Sequence, residues 1–419
     1  MGGRKFYPLS PAQRWLIDMN FNRARSTMMN LSGLLKLSSG VDVERLAKAI
    51  NETLQAHDIF HCRFEVHPVT SDICQTFDGE ISPVTVEEIL DEEFEARKKN
   101  LREPYRITEE PLYRIKIFET PTARYLYVDF YRAIIDGTAL MLLFMREMDL
   151  RYRGRKILRE PASFAQFVLE EAQISAAEGR AYWEKILAKF DRAKHLPPVD
   201  VKGVRAWTLG EYEGTFKNIS ESFFRASRRS EATFFLGAAM LTLAKITGAK
   251  DSVMSFVHNG RTSMAEMRLL GVMIEQFPCA WDFSDDMSVE NFLNELEGKI
   301  RTGMNYRNSL DVVYDAGLDC ATLIFQKNIV SDHVMIGDTT AQIIELPETE
   351  TSAVQNSLDI EISNNESGLF DFFVSYDAGR FSAEGIKKFA ATFDEVVREM
   401  QGEKISVSKI LRRQQTLRR

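Results

Sequence analysis

The chain has 419 residues, of which 44% are hydrophobic and 27% charged, and its formal net charge is −8. The length favours two or three domains, and there is apolar material for more than one core. The acidic balance argues against nucleic acid as a main partner. The longest apolar runs, such as ALMLLFM (139–145), fall far short of the ~20 residues that a bilayer span needs.

The first ten residues, MGGRKFYPLS, contain no apolar stretch of signal-peptide length, and Gly2 lacks the Ser or Thr that a myristoylation site needs four residues on. Cys62, Cys74, Cys279 and Cys320 are irregularly spaced, with no Cys-x-x-Cys and no His-Cys cluster of metal-ligand spacing. These features predict a cytoplasmic protein with reduced, mostly buried thiols and no metal.

In chain order, Val43, Leu46, Ala47, Ile50 and Leu54 recur at helical spacing and predict an amphipathic helix over 41–57. IFHCRFEV (59–66) reads as a strand. Segment 84–101 begins acidic and ends basic, as the helix dipole favours, and predicts a helix. Alternation in 111–120 and in 124–131, with only PTA between them, predicts a hairpin. On its second strand Leu126, Val128 and Phe130 share a face, and a continued strand would place Arg132 on that face. The Asp136-Gly137 pair predicts a tight turn, followed by a buried helix over 138–154.

A long polar helix is predicted over 163–190. KHLPPVDVKG (194–203) then breaks the pattern with two prolines, which suit neither helix nor central strand. It marks the expected boundary between an amino-terminal lobe, 1–190, and a carboxy-terminal lobe, 191–419. Beyond it come a strand in GEYEGTFKNI, a capped helix over 230–248 ended by Gly248, and a strand and turn over 251–261. Strands at 357–363 and 369–377 and a helix over 382–400 complete the pass. The basic end, 409–419, is read as a linker rather than a nucleic-acid site. Both halves mix strands and helices, which predicts an α/β fold of two similar-sized, two-layer α+β lobes.

Several landmarks resemble one family in order and spacing. YPLSPAQRWL (7–16) carries Ser10, Ala12, Gln13 and Trp15 of a Ser-x-Ala-Gln-x-x-Leu/Trp opening. AHDIFHCRF (56–64) matches a second landmark at His57, Asp58, Phe60 and Phe64, while Ala56 and His61 replace its two arginines. YRAIIDGTAL (131–140) stands where the hallmark His-His-x-x-x-Asp-Gly is expected. SFAQF, AYWEKIL, NGR (259–261), LLGVMIEQFP (269–278), LIFQKN and YDAGRFS follow in order. The chain thus resembles the condensation domains of nonribosomal peptide synthetases, within the chloramphenicol-acetyltransferase-like superfamily. The resemblance implies a V-shaped pseudo-dimer of two such subdomains with a central tunnel, and the motif turn at the middle of that tunnel.

It also implies the chemistry. An acyl donor held as a thioester on one phosphopantetheine arm is attacked by an amine on another, so the partners are peptidyl or acyl carrier domains and a neighbouring adenylation domain. No cofactor is tightly bound, and no membrane is involved. The second hallmark histidine is assigned to deprotonating or positioning the amine; here it is Arg132, a donor-only group that stays protonated. Tyr131 replaces the first histidine and is read as a packing residue. Asp136 and Gly137 are kept, and the family's aspartate pairs with an arginine of the other lobe, for which Arg261 is the candidate.

Structural readings stand beside these. Arg132 is a candidate neutralising partner for Asp136, for Asp129, or for Glu275, which stands where the family carries an Asn-Thr pair. His258 and Glu275 are also candidate displaced bases. Three functions remain in play: an amide-forming condensation domain with a degenerate site and a fatty acyl donor as one option, a condensation-like module that recruits a partner enzyme to a carrier-bound peptide, and, more weakly, an epimerase.

Overall fold

A computed structural model describes residues 4–22, 26–157, 160–188, 196–203, 205–317, 319–327, 333–347, 357–402 and 405–412. Its strands are β1 (Asn30–Leu37), β2 (Arg63–Val66), β3 (Ile73–Thr76), β4 (Val86–Glu88), β5 (Tyr113–Glu119), β6 (Arg124–Tyr131) and β7 (Leu209–Ser220). They continue with β8 (Asp251–His258), β9 (Glu275–Asp282), β10 (Thr322–Gln326), β11 (His333–Ile336), β12 (Thr339–Ile344), β13 (Leu358–Asn364) and β14 (Leu369–Asp377).

Two compact units result, neither continuous in sequence. The first is Met1–Ser175 with Asn259–Ile274 and Ser331–Ala353; the second is Ala176–His258, Glu275–Val330 and Val354–Arg419. The expected boundary between 190 and 191, like most of the basic tail (413–419), lies outside the described residues. The segments that return to the first unit have visible reasons. β11 and β12 form a hairpin whose β12 pairs antiparallel with β1, so the sheet claims them. Segment 259–274 brings Arg261, described below.

The first unit has a six-stranded sheet in the order β11-β12-β1-β6-β5-β4. The predicted hairpin is present as β5 and β6, in register Tyr113↔Phe130 through Glu119↔Arg124. β1 was not anticipated, because Ser32 and Gly33 interrupt its alternation; it lies between β6 and β12, and a Cβ on Gly33 would already touch Val128. The helix Val43–Ala56 starts at Asp42, whose carboxylate accepts from the Arg45 N–H at 3.0 Å. Phe60, Phe130 and Phe144 meet with ring centroids 5.4–5.9 Å apart and fill the core beside it.

Two predicted helices are revised. Segment 84–101 is β4 followed by a helix at Asp91–Lys98, because Val86–Glu88 add a parallel strand to β5 and the helix begins only where three carboxylates line its first turn. Segment 163–190 is two helices, Phe164–Glu171 and Ala176–Leu187, and they belong to different units. The strand expected at 59–66 begins at Arg63, after a helical turn at Asp58–His61.

The second unit has its own six-stranded sheet, β7-β14-β13-β10-β8-β9, with parallel pairing on both sides of β10. The helix Glu231–Thr247 is capped by Ser230 and stopped by Gly248 at φ 68°, as predicted. It packs with the helix Ala383–Glu399 in a large aromatic core around Phe216, Phe234, Phe235, Phe370 and Phe393. Among the described residues no helix is long and apolar enough to cross a membrane, and no cluster of three His, Cys, Asp or Glu side chains is arranged to hold a metal ion.

All four cysteines are free and buried. Burial pushes the Cys279 and Cys320 thiols up to about 12, and raises Cys62 and Cys74 as well. Since the thiolate is the reacting species, a disulfide reagent at pH 8 is expected to label the native protein slowly and all four thiols at once in denaturant. Rapid native labelling would contradict this packing.

Candidate active site

β6 delivers the motif. Tyr131 is its last residue, and the chain then turns through Arg132, Ala133 and Ile134 instead of continuing as a strand. The turn's backbone is anchored on every side. The Tyr131 N–H donates to the Leu112 carbonyl at 2.9 Å, and the Arg132 N–H to that of Met29 at 2.8 Å. The Ile134 N–H closes the turn on the Tyr131 carbonyl at 3.0 Å. Ala133, Ile134 and Ile135 are all at most 1% exposed, so the turn is pinned by burial as well.

Gln13 explains why the opening landmark matters. Its side-chain amide donates to the Ala133 carbonyl at 3.2 Å and to Gln75 at 2.9 Å, while its oxygen accepts from the Ser10 N–H at 3.0 Å. The side chain is fully buried. Asp58 does similar work for the next two landmarks: its carboxylate accepts from the Phe164 and Ala165 N–H groups, both at 2.9 Å, and so caps the helix that opens SFAQF.

Asp136 is not in a left-handed Asp-Gly turn. Gly137 has no positive φ and opens the helix that runs on through a π-helical segment, Ala139–Phe144, into Met145–Tyr152. The wide turn is marked by the Met145 N–H donating to the Leu140 carbonyl. One Asp136 oxygen caps the helix, accepting from the Ala139 N–H at 2.7 Å. The other accepts from Arg261 Nη1 at 2.9 Å and from the Met273 N–H at 2.8 Å.

Arg261 was expected as the partner of Asp136, and it is. Both, however, belong to the first unit, not to two lobes. The Arg261 side chain is 1% exposed. Beyond Asp136, it donates to the carbonyls of Asn259 at 2.9 Å, Leu269 at 3.3 Å and Gly271 at 3.2 Å. One guanidinium thus organises the whole 259–273 loop around the motif carboxylate. Sequence reasoning missed the loop's backbone share in this clamp, from Leu269, Gly271 and Met273, because backbone donors and acceptors leave no trace in residue type.

Gly260 makes the loop's close approach workable. Its φ is 71°, and a Cβ there would overlap the Met273 carbonyl oxygen. Gly260→Ala is expected to cost ~2 kcal/mol or more, from the left-handed backbone and the overlap together. Gly248→Ala, at φ 68° with open space around the Cβ, isolates the backbone part. Equal losses in denaturant melts would show that the overlap relaxes freely.

Arg132 has none of the expected carboxylates of this unit. Asp136 is taken by Arg261. Asp129 is fully buried and is held by Arg114 at 3.3 Å, Asn30 at 2.9 Å and Ser32 at 2.7 Å. The neutralising role expected for Arg132 toward these two groups is therefore filled by other arginines. Its Nε is sealed from solvent and has no hydrogen-bond partner among the described residues. Burial holds its pKa below the usual arginine value. Tyr131 packs against Phe64 and Tyr105, with centroids 6.3 and 5.6 Å away, as a packing residue should. Its hydroxyl is buried without a partner among the described residues, and burial raises its pKa.

His258 and Glu275 lie in the second unit, at facing ends of β8 and β9 and directly opposite each other in register. Glu275 is 4% exposed and accepts from the Tyr314 hydroxyl at 3.4 Å.

The condensation-domain family profile matches residues 3–403. The chain belongs to the condensation-domain family. This condensation domain is 20% identical over 418 residues to tyrocidine synthase 3 of Brevibacillus parabrevis, covering 95% of the chain but 6% of that protein. It is 23% identical over 330 residues to the polyketide synthase component of compactin nonaketide synthase of Penicillium citrinum, covering 71% of the chain and 11% of that protein. It thus spans about a tenth or less of such relatives. Among solved structures, the condensation domain from monacolin K polyketide synthase superposes with a TM-score of 0.74 at 17% identity, covering 96% of this chain and 99% of that one. The X-domain from teicoplanin biosynthesis, solved in complex with OxyB, gives 0.71 at 16% identity, covering 98% and 96%. At these identities the superpositions establish the fold alone.

Proposed function

We propose that this condensation domain acts within a nonribosomal peptide or polyketide synthetase, joining an acyl group to an amine without a base from its own motif. The donor is a thioester on the phosphopantetheine arm of one carrier domain, and the acceptor amine sits on a second arm. The observation that carries the reading is Arg132: a guanidinium at the position of the base, on a turn whose architecture is otherwise intact. The amine nitrogen attacks the thioester carbon, the oxyanion forms and collapses, and the thiol leaves with the proton that the amine loses. Arg132 can donate to the oxyanion, or to another anionic group of the ligand, but cannot accept the amine proton. Water or the substrate itself must take it. A starter condensation domain of rhizomide synthetase was solved with C8-CoA, which supports a fatty acyl donor as one option. An adenylation domain beside the carrier is the expected neighbour.

The same arginine supports a second reading, a module that binds a carrier-held peptide and recruits a modifying enzyme. The complex of the teicoplanin X-domain with OxyB is a precedent for that arrangement on this fold. The test is amide formation from two loaded carrier domains, comparing wild type, Arg132→His and Asp136→Ala. Slow product from wild type supports the first reading. No product from any variant, together with tight binding of an oxygenase, supports the second.

A further inference from the structure

We propose that the ligand presented to the motif turn carries a carboxylate, and that Arg132 is the group that receives it. This rests on the reading above, that the site takes an acyl group on a pantetheine arm, and it adds the chemical class of that group. Three observations lead to it. First, the turn carries a cation whose two candidate counter-ions within this unit are committed elsewhere: Asp136 to Arg261 and Asp129 to Arg114. Second, Arg132 Nε is sealed from solvent with no acceptor among the described residues. Buried polar atoms without partners are rare in native structures and call for an explanation at the site where they occur. Third, the backbone beneath this side chain is rigid. The Arg132 N–H, both neighbouring N–H and carbonyl groups at Tyr131, and the Ala133 carbonyl are all bonded. The side chain thus springs from a fixed backbone support.

A partly desolvated cation with no ion pair among the described residues is unfavourable in the free protein. A planar anion that accepts two parallel N–H bonds relieves this, and a carboxylate matches the guanidinium fork. A neutral acyl chain leaves the charge uncompensated. The site is therefore selective between acyl groups of equal size that differ only in the terminal charge.

The test uses non-hydrolysable pantetheine conjugates in which an amide replaces the thioester: a glutaryl conjugate, ending in a carboxylate, and its terminal primary amide. Binding to the full chain is measured by calorimetry for wild type, Arg132→Lys and Arg132→Gln. Wild type is expected to prefer the carboxylate by about 10- to 100-fold, from charge-assisted hydrogen bonds. Arg132→Gln is expected to abolish the preference, and Arg132→Lys to keep part of it. Removing a half-buried cation with no ion pair among the described residues is also expected to leave Tm unchanged or raised in Arg132→Gln; a clear fall in Tm would mean that Arg132 serves a structural ion pair, and would overturn the proposal. Equal affinity of wild type for the two conjugates would overturn it too, while leaving the acyl-pantetheine reading standing. Binding of neither conjugate would overturn that reading and this proposal with it.

Discussion

Arg132→His is expected to speed amide formation by about a hundred- to ten-thousand-fold over wild type in the reconstituted assay, the range typical of a positioned general base. The substitution places a group of ordinary pKa about 6.5 where a permanently protonated one now stands. The rate of the variant should therefore rise with pH through that region, as the imidazole loses its proton. The wild-type profile should lack that inflection, since Arg132 stays protonated and the motif turn carries no imidazole. The gain depends on a turn that already has the right shape. Here the Tyr131, Arg132 and Ile134 N–H groups and the Ala133 carbonyl are bonded by residues that the substitution does not touch. A wild-type rate close to that of Arg132→His would sink the loss-of-base reading. In that outcome His258→Ala and Glu275→Gln become the decisive variants, and a wild-type inflection that either one removes would identify that residue as a displaced base.

Asp136→Ala is expected to destabilise the first unit by about 3–5 kcal/mol, the usual cost of breaking one side of a buried ion pair. The Arg261 side chain is 1% exposed and would be left with a charge and no counter-ion. The Ala139 and Met273 N–H groups would also lose their acceptor. Asp136→Asn should cost less, because it keeps one acceptor oxygen and the shape. The double variant Asp136→Ala, Arg261→Met should cost clearly less than the sum of the single changes, since neither charge is then stranded. Amide hydrogen exchange gives a local reading. Met273 and Ala139 should lose protection in Asp136→Ala while the helix Glu231–Thr247, in the other unit, keeps it. Additive losses, or protection unchanged at Met273, would mean that the clamp does not hold the 259–273 loop.

The two outcomes separate two roles that one short motif combines. Asp136 and Arg261 keep the turn and loop in place; Arg132 decides what the turn can do. A variant that loses the clamp should fail in any background, including Arg132→His, whereas variants at Arg132 should change rate and ligand preference with the fold intact.

Much of this was legible in the residues. The helix over 41–57, the hairpin of β5 and β6, the capped helix over 230–248 and the helix over 382–400 follow from local periodicity and capping, which act within a few residues. The order of the landmarks points to the condensation family, and that resemblance pairs Asp136 with Arg261. The replacement of a base by Arg132 is likewise a statement about residue type alone, and no fold could alter its chemistry.

Tertiary structure decided the rest. β1 carries too little alternation to announce itself and exists because β6 and β12 bond to its two edges. Segment 163–190 looks like one helix, yet it is divided between two units, since local propensity cannot say which core a face will join. The two partners expected for Arg132 within this unit fail for the same reason. Asp129 and Asp136 are near it in sequence, but Arg114 arrives from the neighbouring strand and Arg261 from a loop 125 residues away. Sequence determined which charges this turn carries. Only long-range packing decided which were neutralised: Arg114 and Arg261 hold Asp129 and Asp136, and Arg132 Nε has no partner among the described residues.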